Sequence, residues 1–277
     1  MTRIELGQIG VSLNVSADDT YLHDAAELEK LGYSTIWVPG GQLTTLTPLA
    51  DILDATSTIS VAPAIIPLDL YGPDTVLATY ADLETRHPGR FIVGLGGPQR
   101  AAKPLAALSQ FLDQLDAAER PVPVDRRIVA AIGPRKLALA REQSAGTIPL
   151  LVTPEYTADA RRILGPDSTL IVDELVVLES DSSRARDIAR QPLSFLASVS
   201  GYAANFRRMG FNDTDVSDLS DRLVDAVTAW GDADAIAARV QAHLDAGADH
   251  VVLSVLNDHD GPDRLAVERE LAHKLIH

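Results

Sequence analysis

The segment with the clearest chemical potential is Gly133, Pro134 and Arg135, which lies between an apolar run and a helix-forming stretch. Unpaired backbone N–H groups at the start of a helix attract anions, and an arginine adds two parallel hydrogen-bond donors. The segment therefore predicts a site for a phosphate or another anion. A first-turn proline beside a surface arginine explains the same residues equally well, so both interpretations stay open.

Acidic residues beside apolar runs form a second set of candidates. Thr153 and Glu155 end one run, where they can cap a helix, contact a ligand or do both. Asp173 and Glu174 interrupt another run, 169–178, and a strand buried on both faces does not carry carboxylates without partners. We expect these two acids either to pair with arginines or to lie at the open end of the sheet.

Three glycines, Gly94, Gly96 and Gly97, follow a further apolar run. A dinucleotide-binding fingerprint needs another glycine three places after the second one, and Gln99 stands there instead. We therefore predict a tight turn at the end of a strand, where missing side chains let a flat ligand approach the backbone.

Composition excludes several classes of protein. The 277 residues carry 24 Lys and Arg against 39 Asp and Glu, a net charge of −15, which argues against binding to nucleic acid or anionic lipid. The absence of Cys rules out disulfide frameworks, thiol nucleophiles and Cys-ligated metals. The seven His are not spaced as metal ligands are in motifs such as HxH or HExxH, so we expect no metal site.

The N-terminal residues indicate where the protein acts. Arg3 and Glu5 introduce charge at once and no apolar signal segment follows, so we expect a cytoplasmic protein with no membrane association.

The elements that must position these residues alternate along the whole chain. Apolar runs separated by amphipathic stretches predict eight strands, at 4–13, 33–39, 59–66, 90–95, 127–132, 148–152, 169–178 and 250–256. Eight βα units predict an α/β fold of the (β/α)₈ TIM-barrel type, with a doubly wound open sheet as the alternative. The nearly strandless stretch 180–247 predicts a helical insertion between strands seven and eight. We expect a single domain over residues 1–277.

Segments throughout the chain resemble the luciferase-like monooxygenase superfamily of flavin and deazaflavin oxidoreductases. Within it they are most similar to an actinobacterial subgroup of coenzyme F420-dependent oxidoreductases. The segments are LGYSTIWV (31–38), HPGRFIVGLG (87–96), RIVAAIGPR (127–135), LVTPE (151–155), YAANFRRMGF (202–211), SDRLVDA (220–226) and HLDAGADHV (243–251).

The resemblance implies a luciferase-like TIM barrel that binds F420, or alternatively FMN, at the carboxyl ends of its strands. By matching position, Ile66, Pro67 and Leu68 would lie behind the cofactor ring, near a bulge or a cis peptide, with Gly96 and Gly97 on the same wall. Gly133, Pro134 and Arg135 would hold the phosphate tail. The strand-six motif, Val152, Thr153, Pro154 and Glu155, would border the ring or the substrate.

An active member of the family would transfer a hydride between the deazaflavin and a small organic substrate. One carboxyl group would handle the proton, and Glu155, Glu174 and Asp69 are the candidates. The alternatives are an FMN-dependent reductase or monooxygenase and a cofactor-free, non-catalytic barrel subunit. We expect a homodimer, because the family usually pairs and because Trp37, Trp230 and Ala-bearing helices offer apolar surface.

Overall fold

The computed structural model describes residues 3–16, 18–97, 101–258 and 263–277; Gln99 lies outside these ranges. The strands within them are β1 (Ile9–Ser12), β2 (Thr35–Pro39), β3 (Ser60–Ala64), β4 (Ile66–Pro67), β5 (Val93–Gly96), β6 (Arg127–Ala130), β7 (Gly146–Thr147), β8 (Thr169–Leu178), β9 (Thr228–Gly231) and β10 (His250–Val255). The helices are α1 (Thr20–Lys30), α2 (Thr47–Ala55), α3 (Pro73–Arg86), α4 (Pro104–Asp116), α5 (Pro134–Gln143), α6 (Pro154–Leu164), α7 (Ser182–Leu196), α8 (Ser200–Arg208), α9 (Asp213–Asp218), α10 (Asp221–Val227), α11 (Ala233–Asp245) and α12 (Arg264–Leu275).

The strands form a parallel barrel in the order β3-β2-β1-β10-β8-β7-β6-β5-β4. β3 and β4 are two parts of one barrel strand: β3 pairs with β2, β4 pairs with β5, and a cis peptide joins Ala64 to Ile65 between them. The circuit closes where the Val61 amide donates to the Arg90 carbonyl at 2.9 Å and the Ile92 amide donates to the Val61 carbonyl at 3.0 Å. The predicted (β/α)₈ barrel is therefore confirmed, and the open sheet is not formed.

Several predicted strand limits need correction. β8 matches its prediction. The strand predicted at 148–152 is instead the two-residue β7, Gly146–Thr147, and within 148–152 only Leu150 forms a bridge, to Asp173. The apolar residues after Thr147 are buried in a loop, and hydrophobicity alone cannot distinguish that environment from a strand. The first strand also starts later than predicted, at Ile9 rather than Ile4.

The barrel interior holds a small group of polar side chains near the amino-terminal ends of the strands and is otherwise mainly aliphatic. Near the amino-terminal end, His250 contacts the Gly7 carbonyl through Nδ1 and Thr35 through Nε2, and the Trp37 indole donates to the same Thr35 oxygen at 2.8 Å. The interior cluster around and above them consists mainly of aliphatic side chains: Ile4, Ala62, Ile92, Ile128, Ala145, Ile148, Ile171 and Val252. The polar groups of the lower layer pair with one another, as buried polar groups must.

The insertion between β8 and β10 has its own hydrophobic cluster, which includes Leu193, Phe206 and Leu223. It contains the helices α7 to α11, in agreement with the predicted helical insertion, and also a strand that the sequence did not indicate. This strand, β9, pairs in parallel with the outer half of β8, from Leu175 to Leu178. Within the described ranges, no helix is long and apolar enough to cross a membrane.

Candidate functional site

The structure brings one group of predicted residues together at the β4–β5 edge. Ile66 pairs with Leu95 and Pro67 with Gly96, so these residues share a wall at the carboxyl ends of the strands. A Cβ atom on Gly96 would lie 1.9 Å from Cδ1 of Ile65. This glycine therefore gives space to the chain's own Ile65 side chain. Leu68 is partly buried and packs against the main core.

Gly97 faces a different neighbour. A Cβ atom there would lie 3.3 Å from the Lys136 ammonium nitrogen, which extends from the first turn of α5. Lys136 has no hydrogen-bond or ion-pair partner among the residues that the structure describes. Burial lowers the pKa of this ammonium group. A half-buried, unpaired cation is costly unless it meets an anion.

The start of α5 adds further positive potential at the same place. Gly133 is the N-cap, with extended backbone and no side-chain cap, and Pro134 follows it. An Arg208 guanidinium nitrogen of α8 lies 3.7 Å from the Cβ position of Gly133. We call Gly97, Gly133, Lys136 and Arg208 the cationic corner. Arg135, the predicted anion ligand, lies beside it with an exposed side chain.

A cavity of about 550 Å³ continues from the cationic corner between α5, α6 and the insertion. Three predicted residues line it, Pro134, Thr153 and Glu155, together with Tyr156, Asn205 and Arg208. We call this space the groove.

Thr153 and Glu155 have local roles as well. The Thr153 hydroxyl accepts the Tyr156 amide at 3.3 Å, so Thr153 is the N-cap of α6 as well as a lining residue. Hydrogen bonding by the Thr153 side chain lowers the pKa of Glu155, which is exposed. A carboxyl group with a lowered pKa is a poor proton donor near neutral pH. Val152 is fully buried in the main core.

Glu174 lies on the outer face of the barrel, away from its mouth. Its register partner Leu253 belongs to the core between the sheet and the helices. Its Oε2 atom lies 3.2 Å from Nε2 of His243, whose Nδ1 contacts the Thr157 hydroxyl at 2.8 Å. All three side chains are buried. This placement favours the structural alternative for Glu174 and pairs it with a histidine rather than the expected arginine.

Asp173, the neighbour of Glu174, points into the barrel. Its register partner Val252 belongs to the interior cluster. The Ser254 hydroxyl donates to Oδ1 at 2.6 Å, and desolvation raises the pKa of this carboxyl to about 6. The sequence indicated an acidic pair at this position, but only the strand register shows which member faces the mouth.

The third predicted acid, Asp69, follows β4 and is exposed, and it does not line the groove. Among the described residues, no cluster of three or more His, Cys, Asp or Glu could hold a metal ion.

Comparison with known proteins finds a likeness to the family that the sequence motifs resemble. The family model for luciferase-like monooxygenases matches residues 19–104. No curated protein matches the chain.

Solved structures resemble the fold over almost its full length. An F420-dependent secondary alcohol dehydrogenase in complex with an F420–acetone adduct is 15% identical, with 98% of both chains covered and a TM-score of 0.76. The coenzyme F420-dependent tetrahydromethanopterin reductase of Methanopyrus kandleri is 16% identical, with 98% of this chain and 99% of that chain covered and a TM-score of 0.70. An FMN complex, the oxygenating constituent of 3,6-diketocamphane monooxygenase from Pseudomonas putida, is 12% identical, with 98% and 99% covered and a TM-score of 0.63. The resemblance to luciferase-like proteins is confirmed, and the fold is that of a luciferase-like TIM barrel.

Proposed function

We propose that this luciferase-like barrel is an oxidoreductase that transfers a hydride between coenzyme F420 and an organic substrate. The observation that carries the proposal is the unpaired Lys136 ammonium beside Gly97 at the mouth of the barrel. In a chain with a net charge of −15, anion capture depends on a local positive field. The cationic corner supplies such a field at the position that the family resemblance gives to the cofactor tail.

The residues present fit the anionic part of this cofactor. Lys136 and Arg208 would hold a phosphate from two sides, and the free N–H groups of the first turn of α5 would hold it from a third. Gly97 carries no side chain that would fill the corner. The wall of Ile65, Pro67 and Gly96 would lie beside the ring. When bound, the deazaflavin would supply the carbon that accepts or donates a hydride.

The chain itself would orient the reactants and exclude water. α8 lies against the connection between β6 and α5: the Cβ position of Gly201 lies 3.8 Å from Ile132, and Arg208 reaches the cationic corner. Tyr156 supports the same edge, because its hydroxyl donates to the Ile132 carbonyl at 2.8 Å. A covered, largely apolar mouth strengthens the electrostatic interactions inside it.

Replacing Lys136 tests this proposal. The Lys136→Gln protein should bind F420 about 10- to 100-fold more weakly, because a charge-assisted hydrogen bond contributes about 1.5–3 kcal/mol. Fluorescence titration of the F420 complex gives the dissociation constants. Lys30→Gln is the matched control, since Lys30 lies on α1 in an exposed pair with Glu27. Equal F420 affinities for Lys136→Gln and Lys30→Gln, at unchanged melting temperatures, would contradict the proposal.

FMN is the second candidate cofactor. It also carries an anionic phosphate group, and one structural relative is an FMN complex. The same titration with FMN distinguishes the two: preferential FMN binding favours a flavin-dependent reductase or monooxygenase. A protein that binds neither cofactor would favour the non-catalytic barrel.

A further inference from the structure

The inner face of the barrel carries a carboxylate close to the mouth. Asp173 follows Ile171 by two places on β8 and lies in register with Val252 on β10, and both of these apolar residues belong to the interior cluster. Side chains two places apart on a strand share a face. Asp173 therefore lies on the inner face of the barrel, level with Val252 and one side-chain repeat nearer the strand carboxyl ends than Ile171.

The Asp173 carboxylate is held in position, but only one of its two oxygens accepts a hydrogen bond from a described residue. Its backbone amide donates to the Pro149 carbonyl at 2.9 Å, and the Ser254 hydroxyl donates to Oδ1 at 2.6 Å. No described residue donates a hydrogen bond to Oδ2. Some polar atoms of the described residues are fully buried and lack a partner, but Oδ2 is not one of them. Oδ2 is therefore open to a ligand.

Few charged groups surround Asp173. Tyr202 of α8 faces it, and burial together with the Asp173 charge raises the pKa of the Tyr202 hydroxyl. Glu174 is adjacent in sequence but faces the helices, and its charge raises the pKa of Asp173 slightly. Ser254 is the neighbour on β10. Neither α8 nor β10 presents a cation that pairs with this carboxylate among the described residues.

We propose that Asp173 is the catalytic residue that exchanges a proton with the substrate, and that the substrate is an uncharged alcohol or the corresponding carbonyl compound. The inference rests on the proposed hydride transfer. In the oxidation direction, the carbinol C–H bond breaks and its hydride passes to the oxidised deazaflavin. The O–H proton passes to Oδ2 of Asp173, and the C=O bond forms. Reduction reverses each transfer. A substrate hydroxyl can donate a hydrogen bond to Oδ2 of the carboxylate, and a carbonyl oxygen can accept one from the protonated acid, whereas an anionic substrate would be repelled by the Asp173 charge.

The first test observes the carboxyl group directly. In protein labelled with ¹³C at the aspartate carboxyl carbons, NMR should show one resonance with a midpoint near pH 6 that is absent from Asp173→Asn. Saturation with F420 should move this midpoint upward, because the cofactor displaces water from the mouth. Ser254→Ala should also raise the midpoint, since the lost hydrogen bond stabilises the charged form, and this variant serves if Asp173→Asn does not fold. Glu174→Gln is the matched control and should lower the midpoint only slightly.

The second test concerns proton transfer. With F420 bound, oxidation of propan-2-ol, butan-2-ol or cyclohexanol should rise with pH through the midpoint of the F420 complex, above pH 6, and Asp173→Asn should lower kcat by about 100-fold or more. A folded Asp173→Asn protein that keeps the kcat and the pH profile of the wild type would overturn the inference, as would oxidation of none of these alcohols. So would a carboxyl midpoint that does not respond to bound F420. Those results would not contradict the proposed F420-dependent function. Failure to bind F420 at all would contradict both that function and the role of Asp173.

Discussion

At the scale of single residues, the alternation of side chains along β8 decides which acid can do chemistry. Asp173 and Glu174 are alike in type and hydrophobic context, and the sequence led us to name Glu174 rather than Asp173 as a candidate for handling the proton. The register with Val252 and Leu253 places Asp173 inside the barrel and Glu174 outside it. Lys136 was missed for a similar reason: nothing in the sequence shows that it extends toward Gly97 from another βα unit.

The exposure of Arg135 and Lys136 predicts how their contributions to F420 binding rank. Arg135 is exposed, and charges in contact with water interact weakly, so Arg135→Ala should weaken F420 binding by no more than about tenfold. Lys136→Gln should have the larger effect, since Lys136 is half-buried. Isothermal titration calorimetry on both variants checks the order. A greater loss of F420 affinity in Arg135→Ala than in Lys136→Gln would contradict this order and assign the main anion contact to Arg135.

At the scale of elements, hydrophobic patterns predicted the longer strands and helices. They failed for strands that pair with their neighbours over only a few residues. β8 was predicted residue by residue, because it is a continuous apolar run with clear ends. β7 pairs over two residues only, and β9 adds to β8 inside a helical stretch. Both depend on tertiary contacts with β8 that no local pattern contains.

The close packing of β2 against the β3–β4 junction gives a prediction at this scale. A Cβ atom on Gly40 would lie 2.0 Å from the Ile65 carbonyl oxygen, whereas one on Gly41 would meet nothing within 4 Å. Gly40→Ala should therefore lower the free energy of unfolding by about 1–3 kcal/mol or more, since overpacking displaces backbone. Gly41→Ala should change it by about 0.5 kcal/mol at most. Urea unfolding measures both, and equal values would show that the junction tolerates the added methyl group.

At the scale of the whole molecule, the structure removes one reason for expecting a dimer. Trp37 is fully buried inside the barrel, and the Trp230 indole donates to Asp225 at 2.9 Å while the Arg186 guanidinium lies 5.5 Å from its ring centre. Neither tryptophan offers the apolar surface that its sequence suggested. Large apolar residues that are exposed among the described residues include Leu70 and Phe195.

The homodimer remains a prediction from the family resemblance. Light scattering at micromolar protein concentration should give twice the chain mass of 29.6 kDa. The net charge of −15 opposes association at low ionic strength, so the dimer fraction should rise with salt. A mass of 29.6 kDa that stays constant between low and high salt would contradict the prediction.

The measurement that tests the central claim most directly is binding of F420 and FMN to the unaltered protein. Calorimetric titration at fixed ionic strength should show saturable binding of F420, one molecule per chain, with an affinity that exceeds that of FMN. The affinity should fall as salt rises, because the cationic corner contributes through charge. Saturable binding of FMN alone would contradict the assignment of F420, and no binding of either cofactor would contradict the proposed oxidoreductase function itself.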